Sequence, residues 1–184
     1  ISDQTIAVVN KVKLLGVIIQ KDLKWDEQVE NMISKASRRI FMLRKLKQAG
    51  LNADEILTVY KGYIRPVVEY AAPVWNAGLT QRQVTQVERI QKRVCRYILA
   101  SEYETYSEAL ATLQLDTLHD RRAQICREFA VKSSCTDRFS AWFPASGYTS
   151  IMKLRNTKQY SSYKCNTKRF KCSPLPYLTS LLNI

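Results

Sequence analysis

Histidine, glycine and closely paired cysteines are scarce in this sequence of 184 residues. It contains one histidine, His119, and five glycines, and its five cysteines are widely spaced without a Cys-x-x-Cys pair. Zinc sites need four ligands, usually in close pairs, so the sequence predicts no metal site. An odd number of scattered cysteines fits a reducing compartment, and we expect an intracellular protein of the nucleus or cytoplasm.

Long apolar runs and converging acidic residues are also missing. The longest apolar run near the start covers residues 14–19, which predicts neither a signal peptide nor a membrane span. Nucleotidyl transfer through two metal ions needs carboxylates around a metal pair about 4 Å apart. The close acid pairs here, Asp26-Glu27 and Asp54-Glu55, stand at predicted helix N-termini, where the helix dipole favours acids. The sequence therefore predicts no active site in this chain.

Acidic residues are absent from the last quarter of the chain. No Asp or Glu follows Asp137, whereas the same 47 residues contain eight Lys and Arg. Removing these eight from the total of 29 leaves 21 basic and 16 acidic residues in residues 1–137. The net charge of +13 favours an anionic partner such as nucleic acid, an acidic protein or an anionic membrane surface.

The start of the chain is β-branched and predicts a hairpin. Residues 5–9 and 12–19 are predicted strands, separated by Asn10-Lys11. Gly16 interrupts the second run, which indicates a bulge or a close approach of another backbone.

Helical periodicity then predicts two helices. Asp26 is the expected N-cap of the first, and Gly50 closes it. Arg38 and Lys45 lie opposite its apolar seam. The second helix begins with a capping pair, Asn52 and Glu55, and Pro66 is expected to kink or end it.

Residues 80–99 carry the clearest functional signal. Rotation by 100° per residue places an apolar stripe on one side of a helix and five cations on another. Thr80 and Gln83 form an expected capping box at its start. A solvated surface of a bundle helix and a phosphate-binding surface are both compatible with this pattern. The cations are Arg82, Arg89, Lys92, Arg93 and Arg96.

The remainder predicts two shorter helices and a basic tail. Thr105 with Glu108 opens a helix to about residue 113, and Thr117 with Asp120 opens one to about residue 131. Residues 153–171 mix basic and aromatic side chains, which suits single-stranded nucleic acid or disorder. An apolar helix is expected within residues 173–182. The fold class is therefore mainly α, with a short N-terminal β-hairpin, a helical bundle and an irregular basic tail.

Ordered segments along nearly the whole chain resemble the end of the reverse transcriptase of non-LTR (LINE-type, jockey-like) retrotransposons. The segments are 12–19 (VKLLGVII), 23–25 (LKW), 33–36 (ISKA), 60–66 (YKGYIRP), 69–75 (EYAAPVW), 88–93 (ERIQKR), 169–171 (RFK) and 173–178 (SPLPYL). The resemblance implies an end-of-palm hairpin in residues 1–25, the primer grip. It implies a thumb-like helical bundle in 26–100, helices packed on it in 101–133 and a basic, partly irregular extension in 134–184.

The resemblance also implies a role for each part. The thumb would clamp the template–primer duplex, an RNA–DNA or DNA duplex, and RNA would be a further partner. The fingers, the palm carboxylates and the Mg²⁺ that they would hold are not in this chain. We therefore expect no catalysis and no cofactor here, and we expect a segment of a longer polymerase or a truncated relic of one. The candidate contacts are Lys13, Gly16, Arg38, Lys45, Arg82, Arg89, Lys92, Arg93, Arg96, Lys168, Arg169 and Lys171.

Two other functions remain open from the sequence. A stand-alone basic bundle would bind acidic proteins, and a basic amphipathic helix can lie on an anionic membrane. The membrane alternative is disfavoured because the apolar stripe of residues 80–99 is needed for the core.

Overall fold

The computed structural model describes residues 8–146 and 159–183 and confirms a mainly helical fold with a short N-terminal hairpin. The chain forms two compact units. The first unit comprises Ile1–Val68 and Leu79–Ala109, and the second comprises Glu69–Gly78 and Leu110–Ile184. No helix in the described part of the chain is long and apolar enough to cross a membrane.

The hairpin pairs strands β1 (Lys11–Leu14) and β2 (Val17–Gln20) in antiparallel register, Leu14 opposite Val17. The turn is Leu15-Gly16, with φ of 46° and 87°. A two-residue turn of this type needs positive φ at both central positions, which glycine adopts without a steric penalty. The predicted turn at Asn10-Lys11 and the predicted bulge at Gly16 are therefore wrong. Of the predicted strand at 5–9, residues 5–7 lie outside the described residues and 8–9 are not in a strand.

Helix α1 (Asp26–Gln48) is the longest helix of the first unit. Its N-cap is Trp25, not the expected Asp26, and Trp25 is buried. The Asp26 carboxylate accepts a hydrogen bond from Gln83 Nε2 at 2.8 Å. The backbone N–H of Glu27, in the first turn of the helix, donates to Gln20 Oε1 at 3.1 Å. A side chain from the preceding strand thus replaces the expected cap. Four of the five predicted seam residues, Val29, Ala36, Ile40 and Leu43, are buried, whereas Ile33 is only half-buried. Gly50 follows the helix at φ +97°.

A π-helical turn lies between the next two helices. Helix α2 (Ala53–Val59) has the predicted capping box, the turn covers Tyr60–Ile64, and α3 (Arg65–Glu69) follows directly. Proline lacks an N–H and its ring crowds the preceding turn of an α-helix. The wider turn falls just before Pro66, so the chain remains helical through the proline.

Helix α5 (Gln81–Leu99) has the predicted capping box between Thr80 and Gln83. It packs parallel to α1, because contacts join Asp26 to Gln83, Ser37 to Arg93 and Lys47 to Tyr97 at nearly constant sequence separation. A short 3₁₀ turn (Ala100–Glu102) leads to α6 (Tyr106–Thr112), which begins with the predicted Thr105 and Glu108 pair.

The second unit is built on α7 (Leu118–Ser134), which starts at the predicted Thr117 cap and is longer than expected. Two helices pack against α7, namely α4 (Ala72–Trp75) and α9 (Pro174–Leu182). A 3₁₀ turn (Asn76–Gly78) follows α4 and contacts α9. Trp75 and Arg122 are fully buried here, and Arg122 Nε donates to Asn76 Oδ1 at 3.0 Å.

The tail is more regular than its composition indicates. Its described residues contain a 3₁₀ stretch (Asp137–Trp142), the four-residue helix α8 (Lys168–Lys171) and α9. The Asn183 side chain exchanges hydrogen bonds with the backbone of Tyr160 at 3.0 Å in both directions. The basic stretch predicted at 153–171 lies partly outside the described residues.

Candidate nucleic-acid interface

The cations of α5 form one surface stripe opposite its buried face. Arg82, Arg89, Arg93 and Arg96 are exposed and Lys92 is half-buried. The other side of the helix buries Val87, Ile90, Val94, Cys95 and Ile98. The helix rises 1.5 Å per residue, so the stripe is about 21 Å long. Its direction is fixed because the buried face cannot rotate without breaking the core.

Contacts from neighbouring elements support three of these cations. Arg93 Nη1 donates to Ser37 Oγ on α1 at 3.2 Å. Lys92 Nζ lies 4.8 Å from the Tyr106 ring centroid, and the Arg96 guanidinium lies 5.2 Å from that of Tyr103. These are uncharged partners, which hold the side chains without neutralising them. Within residues 8–146 and 159–183, no carboxylate forms an ion pair with the stripe.

The acid of α5, Glu88, faces a buried polar network. Tyr106 Oη donates to Glu88 Oε1 and accepts from Gln91 Nε2 at 3.0 Å. Gln91 Oε1 in turn accepts from Tyr60 Oη at 2.5 Å. Burial first, and the Glu88 carboxylate second, raise the pKa of the Tyr106 hydroxyl above its usual value. The network joins α5, α6 and the π-helical turn, and it directs the negative charge of Glu88 toward Tyr106.

The two predicted cations of α1 lie elsewhere on the first unit. Arg38 donates to Ser34 Oγ at 3.2 Å, and Lys45 Nζ lies 5.7 Å from the exposed Phe41 ring. Rotation by 100° per residue places both about 80° to 100° from Ser37, the residue that contacts α5. They therefore face away from the buried seam, on a part of α1 adjacent to the stripe but not within it.

Sequence reasoning missed two cations near the stripe. Arg44 is exposed and, by the same rotation, lies within about 20° of Ser37 on the side of α1 that borders α5. Lys47 Nζ donates to the carbonyls of Tyr97 and Ile98 at 2.8 and 3.2 Å, which stabilises the C-terminal end of α5. No local pattern distinguishes them, because their neighbours come from about 50 residues away.

The predicted hairpin contacts lie at the N-terminal end of the first unit. Lys13 is exposed on β1 opposite Ile18, and Gly16 is in the turn. The hairpin attaches to the start of α1, where the Ile18 N–H donates to Gln28 Oε1 at 2.9 Å. Since α1 and α5 are parallel, this is also the end at which Arg82 lies.

The tail cations belong to the second unit. Lys168, Arg169 and Lys171 are exposed on α8, whose first turn is capped by Thr167. In the described ranges, no group of three or more His, Cys, Asp or Glu side chains is placed to hold a metal ion. Comparison with known protein families, curated proteins and solved structures finds no match.

Proposed function

We propose that the first unit binds the phosphate backbone of a nucleic-acid duplex along the cation stripe of α5. The observation that carries this proposal is the stripe itself: five cations, without a carboxylate partner among the described residues, on a helix whose opposite face is locked in the core. Backbone recognition needs positive charge at fixed positions and no base-reading groups. The stripe has this composition.

The geometry suits a duplex lying along the helix. A duplex carries one phosphate per about 1.7 Å of axis, so about 12 phosphates of both strands occupy the length of the stripe. Five cations can therefore each meet a phosphate, and Arg44 on α1 adds a cation beside them.

We further propose that this unit is the thumb of an RNA-directed DNA polymerase of the non-LTR retrotransposon type. The resemblance of the ordered sequence segments supports this role, together with a hairpin attached at one end of the α1–α5 pair. The partners are then an RNA–DNA or DNA duplex, RNA and the rest of the polymerase. Catalysis and its Mg²⁺ belong to those other parts.

Fluorescence anisotropy with a labelled RNA–DNA hybrid tests duplex binding. Five phosphate contacts give a log–log salt slope of about −4.5, so affinity falls about 500-fold between 50 and 200 mM salt. Arg89→Gln with Arg93→Gln should reduce the slope by about 1.8, because each lost contact removes about 0.9.

The matched control is Arg127→Gln with Lys132→Gln, which removes two exposed cations from α7. An equal effect of the two double variants would show that net charge alone, and not the stripe, governs binding. Binding to anionic vesicles or acidic proteins without duplex binding at low salt would also refute the proposal.

A further inference from the structure

A cavity of about 790 Å³ lies within the second unit, beside α8 and α9. Its wall comes from Ala77 and from side chains between Ser162 and Ser180. Binding sites for small ligands usually have volumes of about 300–1,000 Å³ and combine apolar walls with a few polar groups. We propose that this cavity binds one nucleotide, with its phosphate at Lys168 and Lys171 and its base against Tyr163 and Tyr177.

The charge of the cavity selects an anion. Lys168 and Lys171 both line it, and residues three apart on a helix share one side. Arg169 stands between them and does not line the cavity. None of the described residues that line the cavity is acidic. Two cations therefore meet there without an opposing carboxylate from the described lining.

The aromatic part of the wall is held in place. Tyr163 Oη donates to the Trp142 carbonyl at 2.7 Å, and its ring packs edge-to-face on Phe170 at 6.2 Å. Tyr177 is half-buried in α9, next to Pro176. Stacking on aromatic rings accepts any base, because every base has a π face.

Hydroxyl and amide groups complete the lining. Ser162, Asn166 and Thr167 lie on the segment that enters α8. Thr167 also caps that helix by accepting from the Phe170 N–H at 3.2 Å. Lysine, hydroxyl and aromatic groups together match the phosphate, sugar and base of a nucleotide. The nucleotide is either free or an unpaired unit of a single strand. This site is independent of duplex binding by the first unit.

Two lining cysteines provide a direct test. Cys165 and Cys172 line the cavity, whereas Cys135 is exposed on the same unit outside it. The rate of modification by N-ethylmaleimide is measured at each cysteine by peptide mass spectrometry. The probes are AMP, a short single-stranded oligoadenylate and inorganic phosphate. Ligand at ten times its Kd should slow both lining cysteines about tenfold by occupancy and leave Cys135 unchanged.

Variants of the lysines complete the test. Lys168→Gln with Lys171→Gln should abolish protection, while Arg127→Gln with Lys132→Gln, two exposed cations of the same unit that do not line the cavity, should retain it. Protection by AMP identifies a free nucleotide, and protection by the oligoadenylate alone identifies a strand. Equal protection by inorganic phosphate, protection that survives the double variant, or no protection by either nucleotide probe would overturn the proposal. The slow reaction of the buried Cys126 verifies that each variant is folded.

Discussion

Replacing Tyr106 by phenylalanine tests the polar network behind the stripe. The change keeps the ring beneath Lys92 and removes only the hydroxyl. That hydroxyl donates to the Glu88 carboxylate and accepts from Gln91. A hydrogen bond to a charged group contributes about 1.5–3 kcal/mol and a neutral one about 0.5–1.5 kcal/mol. We therefore expect the free energy of unfolding to fall by about 2–4 kcal/mol.

The measurement is urea denaturation followed by circular dichroism at pH 7, with Tyr103→Phe as the matched control. Like Tyr106, Tyr103 has a cation above its ring, because the Arg96 guanidinium lies 5.2 Å from the ring centroid. Unlike Tyr106, its hydroxyl forms no hydrogen bond among the described residues. The free energy of unfolding of Tyr103→Phe should therefore differ from that of the wild type by no more than about 0.5 kcal/mol. A loss below this value for Tyr106→Phe, or equal losses in the two variants, would refute the role of the network.

The same network predicts an alkaline effect. The pKa of Tyr106 is higher in the folded than in the unfolded chain, so the folded state binds this proton more tightly. The stability that this tighter proton binding contributes is complete below about pH 10, the pKa of tyrosine in the unfolded chain. It is lost as the pH rises above that value. The free energy of unfolding should therefore decline above pH 10, and less steeply in Tyr106→Phe. Identical pH profiles for the wild type and the variant would contradict this assignment.

Three further predictions concern other parts of the chain. Lys47→Met removes two hydrogen bonds to the last turn of α5 and should lower the free energy of unfolding by about 1–2 kcal/mol in urea denaturation. Lys47→Arg keeps the positive charge and should lower it less. Equal losses in the two variants would show that the positive charge at residue 47 does not stabilise the end of α5. Gly50→Ala should destabilise by about 1–2 kcal/mol because φ is +97°, whereas Gly62→Ala, also without a neighbour within 4 Å, should be neutral or stabilising; the reverse order in denaturation would contradict this. Burial raises the pKa of Cys95 and Cys126 to about 11, so their alkylation at pH 9 should be much slower than that of the exposed cysteines, and equal rates would contradict their burial.

Local patterns predicted the elements whose signals lie within a few residues. The capping pairs at Asn52, Thr80, Thr105 and Thr117 all begin helices, because a cap and its third helical residue complete each other. The stripe on α5 followed from rotation alone. The Asp26 cap failed because its carboxylate binds Gln83, 57 residues away in the sequence. Local chemistry carries no information about such a partner.

The remaining features depend on long-range packing or on turn geometry. The hairpin turn required two residues with positive φ, and one of them is Leu15, which is not a turn residue by composition. Arg44 became a candidate only once Ser37 was seen to contact α5. The cavity beside α8 draws on Ala77 and on residues after 161, and the two parts are far apart in the sequence. Periodicity within one segment cannot indicate such a site.

The π-helical turn accommodates one residue more than an α-helix needs to keep the same face buried. Ile56, Tyr60, Ile64 and Val68 are all buried at intervals of four. In an uninterrupted α-helix each such interval drifts by about 40°, so the last would lie about 120° from the first. The extra residue in the wide turn absorbs most of this rotation. Deleting Gly62 would leave intervals of four, three and four, which an uninterrupted α-helix places within about 60° of one another. The deletion should therefore convert the wide turn into α-helix and keep the four side chains in phase with the core, and no neighbour lies within 4 Å of the space that a Gly62 Cβ would occupy.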